Sequence, residues 1–499
     1  MQASLILAID QGTTNTKALL VDNRGVLVYK ASASLEILQP KPGYVEQDPL
    51  ALWSSVVQVA TECARYAATQ KKNIAGIAIS NQRETSIVWR KAQQEVPAEP
   101  LSPAITWQCR RSAPVCERLV NDAARIQSIT GLPLDPLVSA SKWAFVLDEN
   151  PALRAEAEAG NVLLGTVDAW LLYNLTSGQA HTTDHTNASR TALLSLASLD
   201  WDAEMLALFG IPRKALPTLQ PSSSLFGKCS TIPELAGVPI VAMIGDSHAA
   251  LVGHGHYETG TVKATYGTGS SLMMLTPSLV TTSKKIARTI AWSHGSGVRF
   301  ALEGNIAMSG AALQWVGEFL GLAHPVEDAA KLAASINDAA DLYLVPAMVG
   351  LGAPHWDAQA RGLIAGLERS HTAAHLARAA TDAIAYQVAD VLSAMEEVAG
   401  VRLPALLADG GATRNNALMQ MQSDILDRPV YRSSQEELSA RGAALLGGLA
   451  LGWWKSFDEL ASLPSDVQTF SPVMDSSRRE HLRAGWALAV RRARLRTDA

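Results

Sequence analysis

The sequence predicts an α/β protein. Short apolar runs of strand length alternate with longer amphipathic stretches, as strands and helices do in that class. Polar, glycine-rich turns stand at the ends of several of these runs. A strand–turn–strand pattern at the N-terminus is also echoed in the middle of the chain, which two related halves would explain.

Taken in order, Leu5–Ile9 is apolar, Asp10-Gln11-Gly12-Thr13-Thr14-Asn15 is a polar turn, and Ala18–Val21 resumes the apolar run. Val26–Ala33 follows the Asn23-Arg24-Gly25 turn, so the spacing predicts an antiparallel meander. Beyond the Gln39–Gly43 loop, Asp48 is a helix N-cap with Pro49 at the first helical position, and the helix runs to about Tyr66. Ile74–Ser80 reads as a buried strand ending in Asn81-Gln82-Arg83-Glu84-Thr85. Val238–Ile244 is a second, ending abruptly in Gly245-Asp246-Ser247-His248. Thr261–Tyr266, the turn Gly267-Thr268-Gly269-Ser270 and Ser271–Leu275 repeat the opening pattern. Within Thr372–Ala399, Leu376, Ala380, Ile384, Val388, Val391, Met395 and Val398 recur at helical spacing, and Gly400 supplies the stop. Leu406-Leu407 leads into Ala408-Asp409-Gly410-Gly411-Ala412 and a helix from about Asn415. A domain boundary is expected near residues 252–260. The segment Arg478–Arg496 carries seven arginines around Leu482, Trp486 and Val490. It reads as a solvated helical face, with an anionic partner as the alternative.

At roughly 100–200 residues per domain, 499 residues imply two to four domains. With 48% hydrophobic and 18% charged residues, the composition excludes a disordered chain, a collagen-like fibre and a disulfide scaffold. A net charge of −5 gives no reason to expect a nucleic-acid partner, which would call for a basic face. Cys63, Cys109, Cys116 and Cys229 are too sparse for a disulfide framework or a zinc site. The start, Met1-Gln2-Ala3-Ser4, has no basic region ahead of its apolar run, so no signal peptide is expected. Ala264–Ser283 is rich in Gly, Ser and Thr, and the apolar stretch Gly442–Trp454 is shorter than the roughly 20 residues of a bilayer span. The expectation is a cytoplasmic protein with no membrane partner.

Four turns could carry chemistry: Asp10–Asn15, Asn81–Thr85, Gly267–Ser270 and Asp409–Asn416. Small residues let a backbone approach a phosphate, and strand ends are where open α/β sheets bind ligands. No P-loop and no protein-kinase signature set occurs, so a nucleotide would need a different fold. Asp246 ends a buried strand and reads either as a helix N-cap or as a site carboxylate. Asp246-Ser247-His248 cannot be a nucleophilic triad, because adjacent residues do not stack into that geometry. His254, His256 and Glu258 would share a face as metal ligands if they lay on a strand, though the segment looks more like a domain junction. Beside a cleft, Arg83 and Glu84 would offer a donor fork and an acceptor to a polyhydroxylated ligand, and Trp107 an apolar platform for its carbon face.

The chain also contains, in sequence, Tyr44-Val45-Glu46-Gln47-Asp48-Pro49, Trp107-Gln108-Cys109-Arg110-Arg111, Gly350-Leu351-Gly352-Ala353-Pro354 and Trp356-Asp357. Together with Asp10–Thr14, Asn81–Thr85, Tyr266–Gly269 and Asp409–Ala412, these make it resemble the FGGY carbohydrate kinases, and within them the glycerol kinases. The resemblance implies two ribonuclease-H-like domains of the actin, Hsp70 and hexokinase type around a central cleft. It assigns residues 1–252 to a substrate and phosphate domain, 253–455 to a nucleotide domain, and 456–499 to an extension with a basic helix. ATP and Mg²⁺ are the expected cofactors, a small polyol or sugar the expected partner, and a homodimer or homotetramer the expected assembly. By resemblance Asp246 is the catalytic base, and Asp10 with Asp246 holds Mg²⁺. Thr13, Thr14, Asn15 and Lys17 would lie near the γ-phosphate, and Thr268, Gly310, Gln314, Gly411 and Asn415 would line the nucleotide.

Arg83, Glu84, Trp107 and Asp246 match residues that touch glycerol in glycerol kinases. Leu137 stands where those enzymes have a tyrosine, Ser247 where they have a glutamine, Ser271 where they have a phenylalanine, and Lys17 where they have an arginine. The first three changes would widen one end of the acceptor pocket, so the expected substrate is a polyol or ketose of four or five carbons rather than glycerol. The alternatives are a glycerol kinase proper, or an actin- or Hsp70-like ATPase with no acceptor, which would need neither the Arg83-Glu84 pair nor Trp107 facing the cleft.

Overall fold

The computed structural model describes residues 4–92, 97–435, 437–464 and 466–496. The Met1-Gln2-Ala3 start, where a leader would begin, lies outside the described residues. One sheet of thirteen strands runs through the molecule. Its strands are β1 (Ser4–Gln11), β2 (Asn15–Asp22), β3 (Leu27–Ser34), β4 (Asn73–Asn81), β5 (Ser223–Lys228) and β6 (Pro239–Gly245). They continue as β7 (Val262–Tyr266), β8 (Ser270–Thr276), β9 (Ala287–His294), β10 (Gly297–Ile306), β11 (Leu406–Asp409), β12 (Val430–Ser433) and β13 (Val467–Phe470). The helices that bear on the site are α1 (Pro49–Thr69), α2 (Ser139–Glu149), α3 (Asp246–Gly253) and α4 (Gly310–Phe319). To these are added α5 (Ala373–Ala399), α6 (Asn416–Leu426), α7 (Leu438–Ala450) and α8 (Ser476–Ala493).

The spatial order is β13-β12-β11-β7-β8-β10-β9-β5-β6-β4-β1-β2-β3. Strands β5 and β9 meet through one residue pair, Ser223 and His294, so the sheet is two half-sheets joined at a narrow seam. Each half has the same plan. Strands β1, β2 and β3 form an antiparallel meander, and β4 and β6 extend it parallel to β1. Strands β7, β8 and β10 form the second meander, and β11 and β12 extend it parallel to β7. The faint sequence echo is this repeated topology.

Local chemistry sets the boundaries. Asp48 caps α1 by accepting the Leu50 N–H at 2.8 Å, with Pro49 following at a position where no N–H is needed. Thr372 and His375 close a capping box on α5, and Gly400 ends it in the left-handed region at φ +67°. The two faces of β1 bury different partners, as the period of two requires: Leu5, Leu7 and Ile9 pack with Leu52, Val56 and Val59 of α1. Ile6 and Ala8 pack with Leu445 and Leu446 of α7, a helix from late in the chain that covers the other face of the first half-sheet. Helix α7 crosses α3 at backbone distance, because a Cβ on Gly442 would stand 1.8 Å from the Ala249 carbonyl oxygen. In the second half, Val262, Ala264 and Tyr266 pack against Ala383, Ile384 and Val388 of α5.

Helix α8 buries Leu482, Trp486 and Val490, as its periodicity predicts, and Trp486 stacks on Tyr386. Arg483, Arg491, Arg492, Arg494 and Arg496 are exposed, as expected of a solvated face, and some of the seven arginines also pair with acidic groups. Arg478 reaches Asp338 at 3.2 Å, Arg479 reaches Asp427 at 2.9 Å, and Arg496 beyond the helix reaches Asp357 at 2.5 Å. These residues tie the helix to acidic groups of the second half. No helix among the described residues is long and apolar enough to cross a membrane.

Candidate active site

Three adjacent parallel strands end at one edge of the first half-sheet. Asp10 of β1 stands level with Ser80 of β4, which stands level with Ile244 of β6. The turns that follow them therefore converge, although they lie far apart in sequence. Gln82 ties them together: its N–H donates to the Gln11 carbonyl at 2.7 Å, and its side-chain amide donates to Gln47 Oε1 at 2.8 Å. Gln47 in turn donates to the Thr13 carbonyl at 2.7 Å. Asn15 donates to Thr14 Oγ1 at 3.1 Å, and Lys17 pairs with Glu437 at 2.6 Å.

Asp10 accepts the Ser80 hydroxyl at 2.8 Å. Burial pushes its carboxyl up to about 6 against that hydrogen bond, and the charge of Asp246 adds to the rise. Asp246 opens α3 at the end of β6, where Gly245 is the N-cap, so it does not serve as the cap itself. Its Oδ1 accepts the Ser247 N–H at 2.6 Å and Arg83 Nε at 3.1 Å, and 37% of its side chain remains open to the cleft. Enclosure lifts its pKa above the ordinary value, while Arg83 and the Ser247 N–H pull the other way. Two carboxylates whose charges oppose each other in one cleft fit a divalent cation, which would relieve both.

Arg83 does not end at Asp246. Its Nη1 donates to Glu303 Oε1 at 2.7 Å, Glu303 Oε2 lies 2.5 Å from Arg190 Nη1, and Arg190 Nε donates to Glu84 Oε1 at 2.6 Å. Asp246, Arg83, Glu303, Arg190 and Glu84 thus form a row of alternating charge, enclosed except at its Asp246 end. Burial alone would raise the Glu303 pKa, but the two guanidinium groups hold it well below the carboxylate range. Glu84 adopts φ +61°, and its carbonyl accepts the Ser139 hydroxyl at 3.2 Å and Lys142 Nζ at 3.3 Å.

Trp107 is 40% exposed, and its Nε1 donates to Thr13 Oγ1 at 3.0 Å, which fixes the ring beside the first turn. Leu137 is half-buried, its N–H held by Asp135 and its carbonyl by the buried Lys142 of α2. Ser247 and Ser271 face each other, one from each half of the chain. His248, next along α3, is fully buried, with Nε2 3.3 Å from Thr289 Oγ1, and burial together with the charge of Arg83 holds its pKa well below the ordinary value.

On the second half, the Gly267-Thr268-Gly269 turn packs on the start of α4. Gly267 O accepts the Gly310 N–H at 2.9 Å, and Thr268 O accepts the Ala311 N–H at 3.0 Å. Gly410, at φ +96°, lies against Tyr266, and a Cβ there would stand 2.4 Å from the Tyr266 carbonyl oxygen. This contact holds the turn that carries Gly411 against the end of β7. Asn415 caps α6 by accepting the Leu418 N–H at 3.2 Å, and Gln314 is exposed on α4, donating to Glu318 at 2.8 Å. His254 ends α3, not a strand, and its Nε2 lies 2.7 Å from Asp409 Oδ2, so the alternating His254-His256-Glu258 face does not form.

Sequence reasoning missed Arg190, Glu303 and Lys142. The available signal was a lone acid in the otherwise uncharged run Phe300–Ile306, and a lysine inside the apolar stretch Ser139–Val146.

The family model for the FGGY family of carbohydrate kinases matches this chain in two parts, its N-terminal domain over residues 5–253 and its C-terminal domain over residues 262–451. An apulose kinase of Pectobacterium atrosepticum is 46% identical over the whole of both chains. A glycerol kinase of Burkholderia ambifaria is 44% identical over 100% of this chain and 99% of its own. The crystal structure of Plasmodium falciparum glycerol kinase with ADP superposes with a TM-score of 0.92 at 30% identity, covering 99% of each chain. A ligand-bound xylulose kinase from Lactobacillus acidophilus shares the fold, with a TM-score of 0.86 at 22% identity over 97% of each chain.

Proposed function

The chain belongs to the FGGY family of carbohydrate kinases, and we propose that it transfers the terminal phosphoryl group of ATP to a hydroxyl of a four- or five-carbon polyol or ketose. ATP-dependent phosphorylation of a sugar or polyol is the activity of the family. The observation that carries the reading is the placing of Asp246: a carboxylate at a strand end, open to the cleft, with Arg83 bonded to it at 3.1 Å.

In this reading Asp246 accepts the proton of the attacking hydroxyl, and Arg83, Glu84 and Trp107 hold the acceptor. The backbone and hydroxyl donors of Thr13, Thr14 and Asn15, with the Lys17 ammonium, face the phosphate end. Thr268, Gly310, Gln314, Gly411 and Asn415 line the nucleotide on the other side. Held by Asp10 and Asp246, Mg²⁺ would spread the charge on the β- and γ-phosphates. Residues 1–252 then form the substrate side, 253–455 the nucleotide side, except for α7 on the first half-sheet, and 456–499 an extension, in a cytoplasmic homodimer or homotetramer.

Leu137, Ser247 and Ser271 support a substrate larger than glycerol, since together they leave hydroxyls and space where a phenol and an aromatic wall would stand. The likeness to a kinase named for apulose, a ketose by its name, points the same way. The second reading, glycerol kinase proper, rests on Arg83, Glu84, Trp107 and Asp246 being present together and on the glycerol kinase relatives. Coupled ADP release over a panel of glycerol, erythritol, xylulose and apulose separates the two. The highest kcat/KM is expected with a four- or five-carbon acceptor. A maximum with glycerol would overturn the substrate, and no stimulation by any acceptor would overturn the transfer.

A further inference from the structure

The row Asp246–Arg83–Glu303–Arg190–Glu84 draws four of its members from the first half of the chain and one, Glu303, from β10 of the second. Arg190 is 2% exposed and Glu303 is fully buried. Neither faces the open cleft, yet each contacts a residue read above as holding the acceptor. We propose that Glu303 and Arg190 are positioning residues for the acceptor site, orienting Arg83 and Glu84 so that the fork and the carboxylate meet the sugar.

The geometry says why such a relay is needed. A guanidinium is planar, so two bonds to different carboxylates fix its plane: Arg83 Nε goes to Asp246 at 3.1 Å and Nη1 to Glu303 at 2.7 Å. Without Glu303 that plane is free to turn about the single remaining contact. Glu84 depends likewise on Arg190, which occupies its Oε1 at 2.6 Å. A buried ion pair contributes little net stability compared with apolar groups of the same volume, so stability alone does not explain five interlocked charges. Orientation does, because an apolar pair cannot direct a fork. Since Glu303 comes from the other half, the acceptor site of the first half is complete only when β10 is seated against it.

This inference rests on the reading of Arg83 and Glu84 as acceptor ligands, and the test separates the two. KM for apulose, for glycerol and for ATP is measured in Arg83→Gln, Glu303→Gln, Arg190→Gln, Arg190→Lys and the Arg190→Gln/Glu303→Gln double variant. Glu303→Gln is expected to raise the acceptor KM at least about tenfold and to leave the ATP KM within about twofold. Arg190→Lys, which keeps the charge but loses the fork, should fall between wild type and Arg190→Gln. The double variant should raise KM by less than the product of the two single effects, because both act through one relay. An acceptor KM unmoved in Glu303→Gln but raised in Arg83→Gln overturns the relay and leaves the acceptor site standing. An acceptor KM unmoved in Arg83→Gln overturns both. If Glu303→Gln does not fold, Glu303→Asp decides: an intermediate acceptor KM with unchanged ATP KM supports the relay, and a wild-type acceptor KM overturns it.

Discussion

Ser247 Oγ donates to Ser271 Oγ at 3.4 Å, linking the first turn of α3 to the start of β8 and so one half of the chain to the other. This long, weak contact joins two hydroxyls beside Asp246, where in the proposed reading a fuller side chain would shorten the acceptor pocket. Ser271→Phe should close that end. The expected outcome is that kcat/KM for apulose relative to glycerol falls at least about tenfold, the scale on which small pockets discriminate single groups. An unchanged ratio in the acceptor panel would show that Ser271 does not bound the sugar.

Asp246→Asn keeps the shape and the Ser247 N–H contact but cannot accept a proton. A general base of this kind contributes about 10²–10⁴-fold to rate, so kcat should fall by that factor. ADP affinity, followed by isothermal calorimetry, should stay within about threefold of wild type. A near-normal kcat would take Asp246 out of the base role.

Part of the candidate site is legible in the sequence because its signals are local. Asp10, Asn81–Thr85 and Asp246 each follow an apolar run that ends abruptly, and the end of a strand can be seen in sequence even when its neighbours cannot. The register that sets Asp10 level with Ser80 then follows from parallel pairing. Glu303 and Arg190 are not legible, because what makes them matter is contact across the fold: Arg83 and Glu303 lie 220 positions apart. Each taken alone is an ordinary charge among small or apolar residues. The ion pairs of Arg478, Arg479 and Arg496 are illegible for the same reason, since their acidic partners Asp338, Asp427 and Asp357 come from other elements. Likewise, nothing in Leu438–Ala450 says which sheet it covers, because its apolar face would suit either half.

Gly410→Ala tests the nucleotide side. At φ +96° a side chain is strained, and the new Cβ would meet the Tyr266 carbonyl at 2.4 Å, so the loop bearing Gly411 must shift away from the end of β7. The ATP KM should rise at least about tenfold while the acceptor KM stays within about twofold. Equal rises in both would mean that the loop does not act on the nucleotide alone.

Lys142 offers a test by pH. Its side chain is fully buried, with Nζ donating to the Glu84 carbonyl at 3.3 Å and to the Leu137 carbonyl, so it braces the backbone at two positions proposed to hold the acceptor. Burial lowers its pKa from 10.5 to about 8, against the pull of Glu84 and Asp135. The unfolded chain therefore binds more protons than the folded one between those two values, and the stability this group supplies rises with pH across that window. It is fully present above about 10.5 and is lost progressively as pH falls from about 10.5 to about 8. Each tenfold change in proton affinity is worth about 1.4 kcal/mol, so the whole effect amounts to roughly 3 to 4 kcal/mol at most. Urea unfolding of wild type and Lys142→Met at a series of pH values isolates it, because the other titrating groups are common to both. The difference, wild type minus variant, should be flat below pH 8 and climb toward pH 10.5. A difference that stays level or declines over that range would mean that burial does not lower the Lys142 pKa.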